Sequence, residues 1–195
     1  MSGTIEVATL LRAYQVGLFP MAEVDEHGAE LIRWYSPDPR GVIPLGGFHI
    51  PRSLKRAMKN GGHEIRIDSD FPAVIAGCAD RSETWISPGL LASYVSLHEL
   101  GWAHSIECWD AGELAGGWYG VALGGAFFGE SMFSKRTGAS KAALVHLVAH
   151  LKARGFVLLD TQWSNPHLEQ FGCIEIPRGQ YLRELDAALQ VEGRF

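Results

Sequence analysis

The stretch VALGGAFFGESMFSKRTGASKAALVHLVAHLKARGFVLLDTQ, residues 121–162, decides the fold. It reads as strand, glycine-containing turn, helix and strand. Residues 126–133 are short, aromatic-rich and bounded by glycine, the composition of a buried strand. A polar loop, Lys135-Arg136-Thr137-Gly138-Ala139-Ser140, leads into a helix. Its apolar face is Ala143, Leu144, Leu147, Val148 and Leu151, spaced three and four apart. Lys152 and Arg154 make a basic last turn, and Gly155 stops the helix. Phe156-Val157-Leu158-Leu159 then forms an apolar strand ending in Asp160-Thr161-Gln162.

A glycine-containing loop with free backbone N–H groups at a helix N-terminus is a natural anion site. Lys135, Arg136 and Lys141 add positive charge there. Asp160 and Gln162 are two apart on a strand and point the same way. The pattern fits a phosphate cradle followed by polar residues at the end of a buried strand. An ordinary capped turn and a strand-end aspartate account for it as well, so both readings stand.

Outward from this stretch, 195 residues support one large domain, or a small one leaning on a larger one. The hydrophobic fraction of 47%, with 6 Trp and 9 Phe, is ample for a core. A mean hydropathy of +0.02 is that of a soluble globule. No apolar run is long enough to cross a bilayer. The first residues, MSGTIEVATLLRAYQ, lack a basic segment followed by a long apolar one, so no secretory signal is expected. Cys78, Cys108 and Cys173 are odd in number, widely spaced and in apolar company, which fits reduced core thiols in a cytoplasmic protein.

A net charge of −5 argues against wholesale nucleic-acid binding, but the distribution matters more than the sum. Between residues 33 and 66 lie Arg33, Arg40, Arg52, Lys55, Arg56, Lys59 and Arg66 against only Asp38 and Glu64. A local cationic face on an acidic protein suits a phosphate-bearing ligand, and equally an ordinary solvated face.

In chain order, residues 5–16 have helical spacing and stop at Gly17. Trp34-Tyr35-Ser36-Pro37-Asp38-Pro39-Arg40 is expected to be irregular, because each proline restricts itself and the residue before it. Trp34 and Tyr35 would there serve as a base-stacking platform or as core plugs. Val42-Ile43-Pro44-Leu45 reads as a short edge strand. Pro51 opens a short helix whose Arg52, Lys55, Arg56 and Lys59 form one cationic stripe. Gly61-Gly62 marks an expected boundary between a small N-terminal α/β subdomain, 1–61, and a catalytic domain, 62–195.

Beyond it, residues 64–68 alternate as a strand, and Ser69 or Asp70 caps a helix through Ala79. Pro88 opens another helix that stops at Gly101. Strands follow at 103–109, 114–123 and 126–133, joined by Asp110-Ala111-Gly112 and Gly124-Gly125. After the loop, helix and strand already described, Asn165-Pro166 caps a short helix ending at Gly172. A strand at 173–176 and a helix at 181–189 finish the chain. Three antiparallel strands followed by a loop, a helix and a strand resemble the N-acetyltransferase (GNAT-like) fold. The expected class is therefore α+β, a mixed sheet with flanking helices. Arg136-Thr137-Gly138-Ala139-Ser140 only half matches that fold's pyrophosphate loop, since Ser140 replaces the final small residue.

Longer motifs narrow this. They are Ala13-Tyr14-Gln15-Val16-Gly17-Leu18-Phe19-Pro20, the Trp34–Arg40 segment quoted above, and His49-Ile50-Pro51-Arg52-Ser53-Leu54-Lys55-Arg56. Thr84-Trp85-Ile86, Leu97-His98-Glu99-Leu100-Gly101-Trp102-Ala103-His104-Ser105-Ile106-Glu107 and Gly117-Trp118-Tyr119-Gly120-Val121-Ala122 continue the series. Phe128-Gly129-Glu130-Ser131-Met132-Phe133-Ser134 and Asp160-Thr161-Gln162 complete it. In this order the chain resembles the bacterial leucyl/phenylalanyl-tRNA–protein transferases, from Leu11 to the last helix.

The resemblance implies transfer of Leu or Phe, and less well Met, from aminoacyl-tRNA to proteins with N-terminal Arg or Lys. The product is marked for degradation. No acyl-CoA, other cofactor, metal or membrane is implied. Asp160, Gln162 and Glu130 fall on the catalytic positions: Gln162 would orient the attacking amine and Asp160 would polarise Gln162. Glu130 would bind the cationic N-terminal residue or hold the aminoacyl-adenosine end. Its plainer reading is a strand-end carboxylate paired with Lys135 or Lys141. The aminoacyl pocket is expected from Trp118, Phe127, Met132, Leu144, Leu147, Leu151 and Leu159, which by periodicity alone are core residues. On the tRNA side stand Trp85, Trp34 and Met21 near the adenosine, and Arg52, Lys55 and Arg56 on acceptor-stem phosphates. Ser134, Ser140 and Lys141 stand at the loop.

Three departures accompany the resemblance. Met21, followed by Ala22, replaces a common tryptophan, and Gly138-Ala139-Ser140 replaces the usual Asn-Ala-Ser. The N-terminal subdomain is expected to be trimmed. Rival readings are an acyl-CoA-dependent N-acyltransferase and a non-catalytic RNA-binding module. A serine hydrolase is weaker, because Gly129-Glu130-Ser131-Met132-Phe133 lacks the second glycine of a nucleophile elbow. His49, His98, His104 and His167 have no zinc-site spacing.

Overall fold

A parallel strand pair needs a crossover, and the helix after residue 138 supplies the one this chain uses. The computed structural model describes residues 3–195. Among them α1 (Val7–Gln15) leads to a hairpin of β1 (Phe19–Val24) and β2 (Glu30–Tyr35). There follow β3 (Arg40–Val42), α2 (Arg52–Asn60), β4 (Glu64–Ile67), α3 (Phe71–Ala79) and α4 (Pro88–Glu99). Next come β5 (Ala103–Asp110), β6 (Glu113–Leu123), β7 (Ala126–Ser134), α5 (Ala139–Ala153) and β8 (Leu158–Gln162). The chain ends with α6 (Pro166–Glu169), β9 (Ile174–Ile176) and α7 (Arg178–Leu189).

A seven-stranded sheet runs β4-β5-β6-β7-β8-β3-β9. Only β7 and β8 are parallel, with α5 as their crossover; the other neighbours are antiparallel. The class is thus α+β with a mixed sheet and flanking helices. Helix starts follow their caps: Asp70 Oδ1 accepts the Ala73 N–H at 3.1 Å, and Asn165 Oδ1 accepts that of Leu168 at 3.0 Å.

The sheet has a core on each face. Leu144, Leu147 and Leu151 of α5 pack with Ile106, Trp118, Phe127 and Leu159 on one. Each fully buried leucine contributes about 2 kcal/mol. On the other face Leu10, Tyr14, Phe71, Tyr94, Tyr119, Phe128 and Tyr181 bring together α1, α3, α4 and α7. No helix among the described residues is long and apolar enough to cross a membrane. Cys78, Cys108 and Cys173 are free and buried.

Three local expectations are corrected. β2 runs through Trp34 and Tyr35, and only residues 36–39 are irregular, around a cis Asp38-Pro39 bond. The prolines constrain nothing before Ser36, so the strand is free to form. The segment read as an edge strand is interior: β3 pairs with β8 on one side and β9 on the other. Pro44 lies beyond its end, so no ladder bond is lost. The strand after α5 is shifted to Leu158–Gln162, leaving Val157 half exposed, and all five residues, Asp160 and Gln162 included, are buried.

Candidate active site

β7 and β8 pair only at Ala126 with Leu158, Phe127 with Leu159 and Phe128 with Asp160. Past that point they diverge, and each carries a bulge there. On β7 the register against β6 shifts so that Gly129 faces Gly120 and Ser131 faces Tyr119, leaving Glu130 as the extra residue. On β8 Asp160 faces Val42 and Gln162 faces Gly41, leaving Thr161 extra. Bulges bend a strand and re-aim its side chains. These two turn Glu130 and Gln162 toward each other across the gap: Gln162 Nε2 donates to Glu130 Oε1 at 3.1 Å.

The gap is a cavity of about 260 Å3. Gly129, Glu130, Ser131 and Met132 line one wall, and Thr161, Gln162 and Trp163 the other. Trp118 lies between, with Phe19, Met21, Arg81, Trp85, Asn165 and Leu168 around the mouth. The chain turns sharply at Gln162, which has φ +59°. That left-handed conformation costs a non-glycine residue about 1–3 kcal/mol and persists only where its surroundings hold it. Gly41 makes room, since a Cβ there would lie 2.6 Å from the Ser164 amide nitrogen.

Two buried carboxylates stand here, Glu130 in the cavity wall and Asp160 behind it. Burial pushes the Glu130 carboxyl up to about 7, against hydrogen bonds from Tyr14 and Tyr94 that lower it; Asp160 raises it and Arg40 lowers it. The Tyr94 hydroxyl donates to Glu130 Oε2 at 2.9 Å and lies 2.7 Å from that of Tyr14. Near neutral pH Glu130 is therefore present in both its protonated and its ionised form. Asp160 is fully buried and held by the Arg40 fork, Nε to Oδ1 at 2.9 Å and Nη2 to Oδ2 at 2.6 Å. The Tyr181 hydroxyl adds a bond to Oδ2 at 2.8 Å. Burial disfavours the Arg40 charge, but Asp160 beside it more than offsets this and raises its pKa.

Glu130 and Gln162 meet at the cavity as a pair, and Glu130 is not paired with Lys135 or Lys141. Asp160 does not line the cavity. It accepts the backbone N–H of Gln162 at 2.9 Å rather than its side-chain amide, which corrects the expected polarising contact. Of the seven expected pocket residues, Trp118 and Met132 line the cavity. Phe127, Leu144, Leu147, Leu151 and Leu159 are packed core between α5 and the sheet, as their helical and strand periodicity equally demanded.

Met21 and Trp85 border the cavity and are tied by the Ala22 N–H donating to the Trp85 carbonyl at 3.0 Å. Trp34 lies on β2, 37% exposed, away from it. Arg52, Lys55 and Arg56 are exposed on α2, with no ion pair to a described residue. The expected anion cradle is largely self-satisfied. The N–H groups of Lys135 and Arg136 both donate to the Ala115 carbonyl, and that of Ser140 donates to Ser134 Oγ at 3.3 Å. Arg136 pairs with Asp110 and Glu113, and Lys141 donates to Gln170 at 3.0 Å.

Sequence reading missed Arg40, Tyr14, Tyr94, Tyr181, Arg81 and Trp163. Arg40 stood in a quoted motif, but nothing in its neighbours marks a cation for burial. Arg81 holds β7 beyond its pairing with β8 by donating to Ser131 Oγ at 3.3 Å and to the Met132 carbonyl.

Comparison with known proteins supplies the family. A family model described as leucyl/phenylalanyl-tRNA protein transferase matches residues 42–186, and one for its N-terminal domain matches residues 3–38. A relative from Ruegeria pomeroyi, named leucyl/phenylalanyl-tRNA–protein transferase, is 56% identical over 186 residues, 95% of this chain and 88% of its own. One of the same name from Salinibacter ruber is 52% identical over 93% of this chain and 79% of its own. Among solved structures, the L-PGS of Bacillus licheniformis is similar over 84% of this chain and 55% of that one. Its TM-score is 0.47 at 13% identity, too slight a likeness to argue from. With the greater part of its length matched, this chain belongs to the leucyl/phenylalanyl-tRNA–protein transferase family.

Proposed function

We propose that the cavity between β7 and β8 joins an amino acid carried on tRNA to the α-amino group of a protein. The donor is Leu or Phe, and less well Met, esterified to tRNA, and the acceptors begin with Arg or Lys. The reaction marks the acceptor for degradation in the cytoplasm. The observation that carries this reading is the Gln162–Glu130 pair at the parting of two strands, in a chain of this family. The parted, bulged strands also support a GNAT-like assignment of the fold.

In the step, the amine nitrogen attacks the ester carbonyl carbon, the bond to the ribose oxygen breaks, and one proton passes from nitrogen to that oxygen. An aminoacyl ester is already activated, so aim supplies most of the acceleration. Gln162 commits its Nε2 to Glu130, which leaves its amide oxygen to receive an N–H of the incoming amine. Glu130, titrating near 7 beside that amide, relays the proton or faces the acceptor's positive charge. Met132 and Trp118 face the aminoacyl side chain, and Trp85 and Met21 the adenosine. The exposed cations of α2 take the acceptor-stem phosphates, since duplex RNA is read by charge and shape.

The engaged loop at the start of α5 offers few free N–H groups to a pyrophosphate, which weighs against the acyl-CoA alternative. The test is transfer of labelled Leu or Phe from charged tRNA to peptides beginning with Arg, Lys or Glu. Transfer to the first two alone is expected, without added acyl-CoA. Folded protein that transfers nothing overturns the reading.

A further inference from the structure

We propose that Asp160 serves the transfer only through the backbone of Gln162, and that Arg40 and Tyr181 are positioning residues that hold it there. This rests on the transfer reading above and goes beyond it, because it assigns Asp160 no contact with substrate and no part in moving a proton.

A carboxylate has about four lone-pair directions. Asp160 receives four donors: Arg40 Nε at 2.9 Å, Arg40 Nη2 at 2.6 Å, the Tyr181 hydroxyl at 2.8 Å and the Gln162 N–H at 2.9 Å. None is left for a substrate proton or the Gln162 amide, and the group has no exposed surface. Three of the donors fix the carboxylate, and the fourth is the amide of the residue in the left-handed conformation. Arg40 is itself pinned, by Nη1 to the Gly17 carbonyl at 3.0 Å and by the Phe19 and Tyr181 rings on which its guanidinium stacks. The junction after α1, β3, β8 and α7 thus converge on one peptide group. What they set is the direction in which the Gln162 side chain leaves the bulge.

The test separates the charge of Asp160 from its hydrogen-bond acceptor. In Arg40→Met/Asp160→Asn both charges go, but an amide oxygen remains for the Gln162 N–H. In Arg40→Met/Asp160→Ala the charges go and the acceptor with them. Asp160→Asn alone leaves Arg40 buried without its counter-charge. Removing both partners of a buried pair is tolerated far better than removing one. Transfer kinetics are measured with the thermal unfolding of each variant. Asp160→Asn and Arg40→Met/Asp160→Ala are expected to lose about 100-fold in kcat, the scale of a misaimed group. Arg40→Met/Asp160→Asn is expected to return to within about tenfold of wild type. KM for aminoacyl-tRNA stays put in all three, as no substrate contact is lost.

If that variant is as slow as Asp160→Asn, or if KM rises with the loss, the proposal is overturned. Should the double variants not fold, Tyr181→Phe decides. A kcat loss of about threefold or more with unchanged KM upholds positioning, the share of one lost hydrogen bond, and wild-type kcat defeats it. A wild-type protein that transfers nothing would instead refute the transfer reading.

Discussion

Replacing Glu130 with glutamine tests the electrostatics of the site apart from its chemistry. Burial lifts this carboxyl from an ordinary 4.5 to about 7. At about 1.4 kcal/mol for each pH unit, ionising it in the folded protein costs about 3 kcal/mol more than in the unfolded chain. The sign follows from proton counting. Between pH 4.5 and 7 the native state holds a proton on Glu130 that the unfolded state has released. Stability therefore falls as pH rises through that window, and the loss is complete above 7. Glutamine keeps the shape and can still bond Tyr94 and Gln162, but never ionises. Urea unfolding of both proteins at pH 5 and pH 8 is the assay. The variant's stability advantage over wild type should widen by about 2–3 kcal/mol across that interval. Equal pH dependence in the two proteins would refute the burial argument, whatever the activity. Transfer should meanwhile slow by roughly 100-fold or more if Glu130 carries a proton in the step.

If Gln162 aims the amine as proposed, Gln162→Ala should lower kcat by about 100-fold with KM for aminoacyl-tRNA nearly unchanged. Met132→Ala should alter the ratio of Leu to Phe transferred, whereas Leu147→Ala should leave that ratio alone and cost about 2–5 kcal/mol of stability. Transfer assays beside thermal melts distinguish the two. Arg52→Ala/Lys55→Ala/Arg56→Ala should raise KM for charged tRNA and flatten its dependence on salt by about two counterions. An unaltered salt slope would remove α2 from the RNA surface.

How legible this was depended on period. The three-strand meander, α5 and the caps at Asp70 and Asn165 each carry a repeating or local signal, so the element order from β4 onward could be read directly, whereas the β1–β2 hairpin was not. The two bulges carry none. Glu130 and Thr161 look like ordinary strand residues in one dimension, yet the register slip at each builds the cavity. The same blindness explains Phe127, Leu144, Leu147, Leu151 and Leu159: apolar spacing identifies residues that face inward, not which of them stop short and leave a gap. The interior place of β3 was hidden because its pairing partners lie more than a hundred residues further along the chain.

The buried ion pair is informative because it is a poor way to gain stability. Taking Arg40 and Asp160 out of water costs several kcal/mol per ion, and their attraction returns that only with every donor and acceptor satisfied. A pair of well-packed apolar side chains between Phe19 and Tyr181 would often hold the fold as well or better. Yet Arg40 and Asp160 satisfy each other and in doing so reach one further group, the Gln162 amide, in a conformation that costs energy of its own. Strain held by an expensive polar cluster, at a residue that lines the cavity, is hard to account for as packing. It follows if the direction of one glutamine side chain is what the cluster exists to fix. Stability and transfer should then part company in Arg40→Met/Asp160→Ala, which should melt no earlier than Asp160→Asn and still transfer about as slowly.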